Sequence, residues 1–325
     1  MYDFTGIGNA CLDLVASVDE SVLDKFSLQK SRQFVIDEDT KETLIKQLPS
    51  IAYNIGGAAS NVCHVMTALG CKTAFMGRLA NDNAGQIILE TMEKIGIDYP
   101  MGAIKDTDLE TAQIFCLTTP DAERTFGSYY GISAEISFDD MDMPTINDSK
   151  IVYLDGYSLY SPHAYDAFDK ILNSIDKDKT ISVFHPGDVS VALNFPEHTQ
   201  NLIDRCDVVI FNANEARACF PNTSLEDITK HLKDKNKTGA ITLGSDGAYV
   251  FKDGELMKVH TPQNAANPID TCGAGDHFSG GFLYGLINGF DLKNAGILGC
   301  RCGADAIKRY GARPVGSLKH YLEGL

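Results

Sequence analysis

Basic residues are scarce: 28 Lys and Arg stand against 44 Asp and Glu, giving a formal charge of −16 over 325 residues. That sign is opposite to the footprint of a nucleic-acid binder, so DNA and RNA are set aside as partners. No window approaches the ~20 apolar residues of a spanning helix. The opening Met1-Tyr-Asp-Phe-Thr-Gly-Ile-Gly-Asn9 has neither the basic leader nor the apolar run of a signal peptide. A cytoplasmic protein with no membrane partner is the expectation. No Cys-x-x-Cys pair occurs among the nine cysteines, and the eight histidines form no His-Glu-x-x-His or His-x-His cluster. Buried thiols are therefore expected in preference to disulfides or a zinc site. Two nucleotide fingerprints are missing as well. There is no Gly-x-x-x-x-Gly-Lys-Ser/Thr loop, and Gly6-Ile-Gly8-Asn-Ala-Cys11 lacks the third glycine and the strand–helix setting of a dinucleotide turn. An acidic protein that handles phosphates must then supply positive potential locally, through backbone N–H groups, a helix N-terminus, a few basic side chains or a metal.

What is present is a globular composition, 44% apolar and 22% charged, arranged as strand-length apolar runs alternating with helical-period segments. Strands are predicted at residues 2–9, 73–79, 151–154, 181–185, 208–211 and 240–243. Helices are predicted at 58–69 and 84–95, each closed by a glycine, and at 163–174, 225–232, 274–287 and 292–310. This alternation argues for an α/β fold with a mostly parallel sheet and helices on both faces, and ligands then bind outside the strand carboxyl ends. Two stretches break the pattern with short alternating runs such as 111–117. The predicted organisation is a large α/β unit of residues 1–10, 35–95 and 132–325, covered by a small β lid of residues 11–34 and 96–131.

Four segments carry chemical signals. Asp270-Thr-Cys-Gly-Ala-Gly-Asp276 places Gly273, Ala274 and Gly275 at the start of an apolar helix, where unpaired backbone N–H groups favour an anion. Asp276 lies in its first turn, able to face that anion and to accept a proton from an attacking hydroxyl. The plainer alternative is a turn with a capping carboxylate. Asn54-Ile-Gly56-Gly57-Ala-Ala-Ser-Asn61 sets paired glycines before a helix, which lets backbone approach a polar ligand. Asn212-Ala-Asn-Glu215 follows a strand directly and offers an amide and a carboxylate to a hydrated Mg²⁺, or else caps a helix. Thr242-Leu-Gly244-Ser-Asp-Gly247 reads as a strand and a glycine-bounded turn.

In this order and spacing the four segments resemble the PfkB family of carbohydrate and nucleoside kinases, whose fold is called ribokinase-like, over essentially the whole chain. The opening Gly8-Asn9-Ala-Cys-Leu-Asp13, the stretch from Ser27-Leu to Gln33-Phe, and the closing Gly311-Ala-Arg-Pro314 are similar to the adenosine kinases within it. The resemblance implies ATP and Mg²⁺ as co-reactants. It implies that Asp13 holds two ribose hydroxyls, with Asn9, Gly56, Gly57 and Asn61 completing the sugar site, and that Gln33, Phe126 and Tyr130 come from the lid to meet a base. Asp276 becomes the catalytic base and Gly273, Ala274 and Gly275 the anion hole. Asn212, Glu215, Thr242, Gly244 and Gly247 fall near the nucleotide, with Glu215 holding Mg²⁺ through water. Asp270 and Gly311 fall near a monovalent cation such as K⁺, and Arg124 within reach of a phosphate. Cys272 stands where adenosine kinases often carry Asn, and Ala58 where eukaryotic ones carry Ser. The expected reaction is phosphorylation of the primary hydroxyl of a ribose-containing substrate, adenosine first. A sugar kinase of the ribokinase or fructokinase type is the alternative, and a non-catalytic nucleoside sensor the rival from another class. A monomer and a homodimer are both compatible with the sequence.

Overall fold

The computed structural model describes every residue except 31, 103–106, 122 and 263–267, some of which fall in the expected lid. Among the described residues the strands are β1 (Phe4–Ile7), β2 (Cys11–Ser17), β3 (Gln33–Val35), β4 (Ala52–Gly56), β5 (Thr73–Met76), β6 (Ile97–Asp98), β7 (Ala112–Thr118), β8 (Arg124–Tyr129), β9 (Ile151–Asp155), β10 (Ile181–His185), β11 (Val208–Asn212), β12 (Thr238–Thr242), β13 (Ala248–Lys252) and β14 (Glu255–Val259). The larger sheet has the order β14-β13-β12-β11-β10-β9-β1-β5-β6. All pairs from β12 to β6 are parallel, and β13 and β14 close one edge antiparallel. The fold is therefore the expected α/β arrangement, a mixed, mostly parallel sheet accompanied by a second, small sheet.

Central strands of a parallel sheet are covered on both faces and so read as continuous apolar runs; Ile151, Val152, Tyr153 and Leu154 of β9 are all buried. Two covering helices matter most for the site. Helix Ala58–Leu69 buries Val62, Val65, Met66 and Leu69, and helix Ala274–Ile287 buries Phe278, Phe282 and Leu283. Each fully buried aliphatic or aromatic side chain contributes roughly 1.5–3 kcal/mol. The two helices pack directly on each other, and a Cβ on Gly280 would lie 2.5 Å from Val65 Cγ1, so their approach needs a residue without a side chain. Strand order reverses at β1, with β5 and β6 to one side and β9 to β12 on the other. The crevice outside the carboxyl ends of β1 and β9 is the place where such sheets bind ligands.

The smaller sheet has the order β3-β8-β7-β2-β4. Two strands differ from the boundaries expected from sequence. β4, within the 35–95 stretch placed in the larger unit, pairs antiparallel with β2, and β6, within 96–131, pairs with β5 in the larger sheet. Neither has a legible alternation, because Ala52, Tyr53 and Asn54 lie exposed on an edge strand and β6 has only two residues. Helix Glu38–Ile45 goes with the smaller sheet too: its fully buried Lys41 pairs with Glu110, and Lys41 Nζ lies 4.6 Å from the Tyr129 ring centroid. No helix among the described residues is long and apolar enough to cross a membrane.

Candidate active site

The start of helix Ala274–Ile287 shows why its sequence is rich in small residues. Gly273 has φ +74, and a Cβ there would meet Ala312 Cα at 2.6 Å, so glycine is required both for the left-handed backbone and for the contact. The helix's first N–H groups have no partner within the helix, which makes them donors to an anion. Asp276 sits in that first turn, and its Oδ2 accepts from Asn61 Nδ2 at 2.8 Å. The starts of the two packed helices thus meet at one point. Gly273→Ala is expected to misplace these donors and to lower kcat about 10²–10³-fold, the usual effect of losing an anion-hole donor, alongside a fall in Tm; steady-state rates and a thermal melt check it.

A cleft of three connected chambers crosses the carboxyl ends of the large sheet. The first, about 680 Å³, is lined by Asn9, Asp13, Gly57 and Asp155 and, from the small sheet, by Gln33, Phe126, Ser128 and Tyr130. The second, about 290 Å³, holds Asn61, Glu215, Gly273, Gly275 and Asp276. The third, about 500 Å³, is lined by Asn212, Thr242, Gly244 and Lys258. Ala58, Phe126 and Tyr157 belong to the first and second chambers, and Asn212 and Thr242 to the second and third. Residues singled out in sequence stretches far apart are therefore walls of one channel, with Asp276 at its middle.

Five of them play other parts. Gly56 stands under Asp13, where a Cβ would lie 2.1 Å from Asp13 Oδ1. Gly247 closes the turn between β12 and β13 against Val259 O and lines no chamber. Ala274 is the first residue of the helix whose start forms the second chamber. Asp270 and Gly311 come together, Gly311 N donating to Asp270 Oδ2 at 3.0 Å, but they line none of the three chambers. The cation on Asp270 is Arg124, whose Nη2 lies 2.6 Å from Oδ1.

The channel concentrates carboxyl groups in poorly solvated positions. Burial pushes Asp276 up to about 7; the charges of Asp155 and Asp13 add to the rise, while Asn61 and Arg313 oppose it. Asp13 is raised to about 7 by burial against the pull of Arg313, and Asp155 to about 7 by burial against backbone N–H groups. Burial raises Glu215 to about 8, with Asp188 and Asp276 contributing. Perturbed groups gathered in one cleft are what a proton-transferring site requires.

Two residues of the site, Asp155 and Arg313, had no role assigned from the sequence. Asp155 ends β9 at a strand carboxyl end, the one cue that points to it. It is fully buried, its Oδ1 accepts from Tyr157 N at 3.1 Å, and its Oδ2 has no hydrogen-bond partner. Arg313 donates from Nε to Ile55 O at 2.9 Å and from Nη2 to Ser60 Oγ at 2.5 Å, placing a buried cation beside Asp13 and Asp276. On the opposite wall, Gln33 Nε2 donates to Ser128 Oγ and to Tyr130 OH, both at 3.1 Å, and the Tyr130 ring stacks on Tyr160 with centroids 5.4 Å apart.

The model of the pfkB family of carbohydrate kinases matches residues 13–318. The chain belongs to that family. It is 26% identical to the adenosine kinase of Schizosaccharomyces pombe, over 94% of each chain. Among solved structures, it superposes on the adenosine kinase from Sinorhizobium meliloti with a TM-score of 0.92 and 27% identity, covering 99% of this chain and 98% of that one. It superposes on a probable sugar kinase from Rhizobium etli CFN 42 with a TM-score of 0.91 and 26% identity, covering 98% and 97%. A pfkB kinase draws its phosphoryl group from ATP, usually with Mg²⁺, and the donor set fits an ion held through water. Glu215 is a single buried carboxylate whose oxygens take Asn212 N at 2.8 Å and Asn212 Nδ2 at 2.5 Å. No cluster of three or more acidic, His or Cys ligands exists among the described residues to strip the ion's hydration shell.

Proposed function

We propose that this kinase transfers the γ-phosphoryl group of ATP to the primary hydroxyl of a ribose-containing nucleoside, adenosine in the first place. The observation that carries this reading is the first chamber. Its volume of about 680 Å³ lies within the ~300–1,000 Å³ range of pockets that enclose drug-sized ligands, far more room than one monosaccharide fills. Its lining holds the carboxylate of Asp13 for vicinal hydroxyls, and Phe126, Tyr130 and Tyr157 supply aromatic surface.

In this reading Asp13 and Asn9 hold the ribose so that its primary hydroxyl points into the second chamber at Asp276. Asp276 accepts the hydroxyl proton on its carboxylate as the oxygen attacks. Backbone N–H groups at the start of helix Ala274–Ile287 stabilise the charge on the transferred group, and Asn212, Thr242 and Gly244 line the way to the donor nucleotide. Glu215 would hold Mg²⁺ through water, and the ion would supply charge neutralisation to the phosphates. The small sheet covers the acceptor and excludes water, which limits hydrolysis of ATP. The protein is soluble in this reading and acts as a monomer or a homodimer.

A sugar kinase is the second reading, favoured by one feature: Asp155 adds a second hydroxyl-accepting carboxylate to the chamber lining. Competition among adenosine, inosine, ribose and fructose at matched concentration, with ATP and Mg²⁺, separates the two. A base stacked on an aromatic ring gains ~1–3 kcal/mol, so kcat/KM for the purine nucleoside is expected to exceed that for free ribose by about ten- to over a hundredfold. Ribose or fructose winning would give the sugar-kinase reading. Binding without formation of AMP or any sugar phosphate would give the sensor.

A further inference from the structure

Arg124 is the first residue of β8, in the small sheet, yet its guanidinium reaches the other layer: Nη2 lies 2.6 Å from Asp270 Oδ1. The same carboxylate holds two backbone groups of the large unit. Oδ1 accepts from Cys272 N at 2.7 Å and Oδ2 from Gly311 N at 3.0 Å. One side chain therefore joins the lid strand, the residue immediately before the anion hole, and the loop that packs against Gly273. The pair is shielded, Asp270 being 9% and Arg124 24% exposed, so it is a charge-assisted contact of the strong kind and not a surface ion pair. Among the described residues Arg124 is the cation paired with Asp270. A monovalent ion seeking that carboxylate from the lid side finds a guanidinium already on it.

We propose that Arg124 is a positioning residue for phosphoryl transfer, supplying from the lid the positive charge that keeps Asp270 bonded to the segment leading into the anion hole, so that no added monovalent cation is needed. This rests on the kinase reading. It adds to that reading a coupling between the lid and the anion hole, because Asp270 is fully partnered only while β8 lies over it. Cys272 is the link. Its N–H is held by Asp270, and the next residue is the left-handed glycine that starts the phosphate-binding helix.

The test compares wild type, Arg124→Ala and Arg124→Lys, with the acceptor found best in the competition assay, in potassium chloride and in tetramethylammonium chloride at equal ionic strength. Wild-type kcat is expected to be the same in both salts within about twofold. Arg124→Ala is expected to lose about ten- to a hundredfold in kcat without potassium, with acceptor KM little changed, and to recover most of it with potassium. Arg124→Lys keeps the charge and retains most of the rate. A wild type that depends on potassium overturns the proposal. So does an Arg124→Ala loss that appears as a raised KM for ATP and ignores potassium, since Arg124 would then act on a phosphate. Amide exchange at Cys272 reads the coupling without turnover, whatever the acceptor proves to be. It is expected to speed about tenfold in Arg124→Ala, and unchanged protection in a variant that melts like wild type overturns the proposal even if the kinase reading stands.

Discussion

Asp276→Asn is expected to lower kcat by ~10²–10⁴-fold, the range for loss of a positioned general base, equivalent to roughly 3–5 kcal/mol of barrier. The amide has the size of the carboxylate and keeps a polar contact with Asn61, but it has no basic oxygen to take the hydroxyl proton. Neither the left-handed Gly273 nor the packing of helix Ala274–Ile287 on helix Ala58–Leu69 depends on the charge, so fold, acceptor KM and nucleotide binding should change little. The wild-type pH profile carries the same information. With Asp276 raised to about 7, the basic form dominates above that pH and the protonated, inactive form below it. kcat/KM should therefore fall by at least about tenfold per pH unit on the acid side and level off on the alkaline side. Asp13 and Asp155 are raised to about 7 as well, so the limb belongs to the coupled set of carboxyls. At saturating acceptor the residual kcat of Asp276→Asn should lose the part of that dependence that Asp276 supplies, while its kcat/KM keeps the part set by Asp13. Initial rates of ADP formation measured across pH check both statements, and a variant with near-wild-type kcat would remove Asp276 from the chemistry.

The second large effect is expected at Asp13, and it should fall on binding. A carboxylate accepting from two vicinal hydroxyls makes two charge-assisted hydrogen bonds of ~1.5–3 kcal/mol each. Asp13→Ala should therefore lower kcat/KM for the nucleoside by about 10²–10⁴-fold, mostly through KM. Asp13 lines the first chamber, whereas Asn212 and Thr242 wall the second and third. ATP binding measured by calorimetry should accordingly survive the substitution. The acceptor's own chemistry supplies the complementary check: 2′-deoxyadenosine should be a much poorer substrate than adenosine for the wild type. Equal use of the two would show that Asp13 does not hold the diol.

Local pattern was enough for the parts of this protein whose geometry is local. The helices Ala58–Leu69 and Ala274–Ile287 follow from apolar spacing and from the glycines at their ends. The anion-binding helix start follows from Gly273, Ala274 and Gly275, because unpaired N–H groups and a left-handed residue are properties of a few consecutive positions. The order and spacing of four short segments sufficed to name the family. Edge strands escaped, since β4 is largely exposed and β6 has two residues, and which sheet each joins is decided by a partner far away in sequence. The ionisation of the site escaped for the same reason. Asp13, Asp155 and Asp276 come from three distant segments and are raised together only because the fold removes water around all three, with Arg313 offsetting the rise at Asp13 and Asp276 alone. Nothing near Asp270 in the sequence announces Arg124; the ion pair exists because tertiary packing lays a strand of the small sheet across the loop that opens the anion hole.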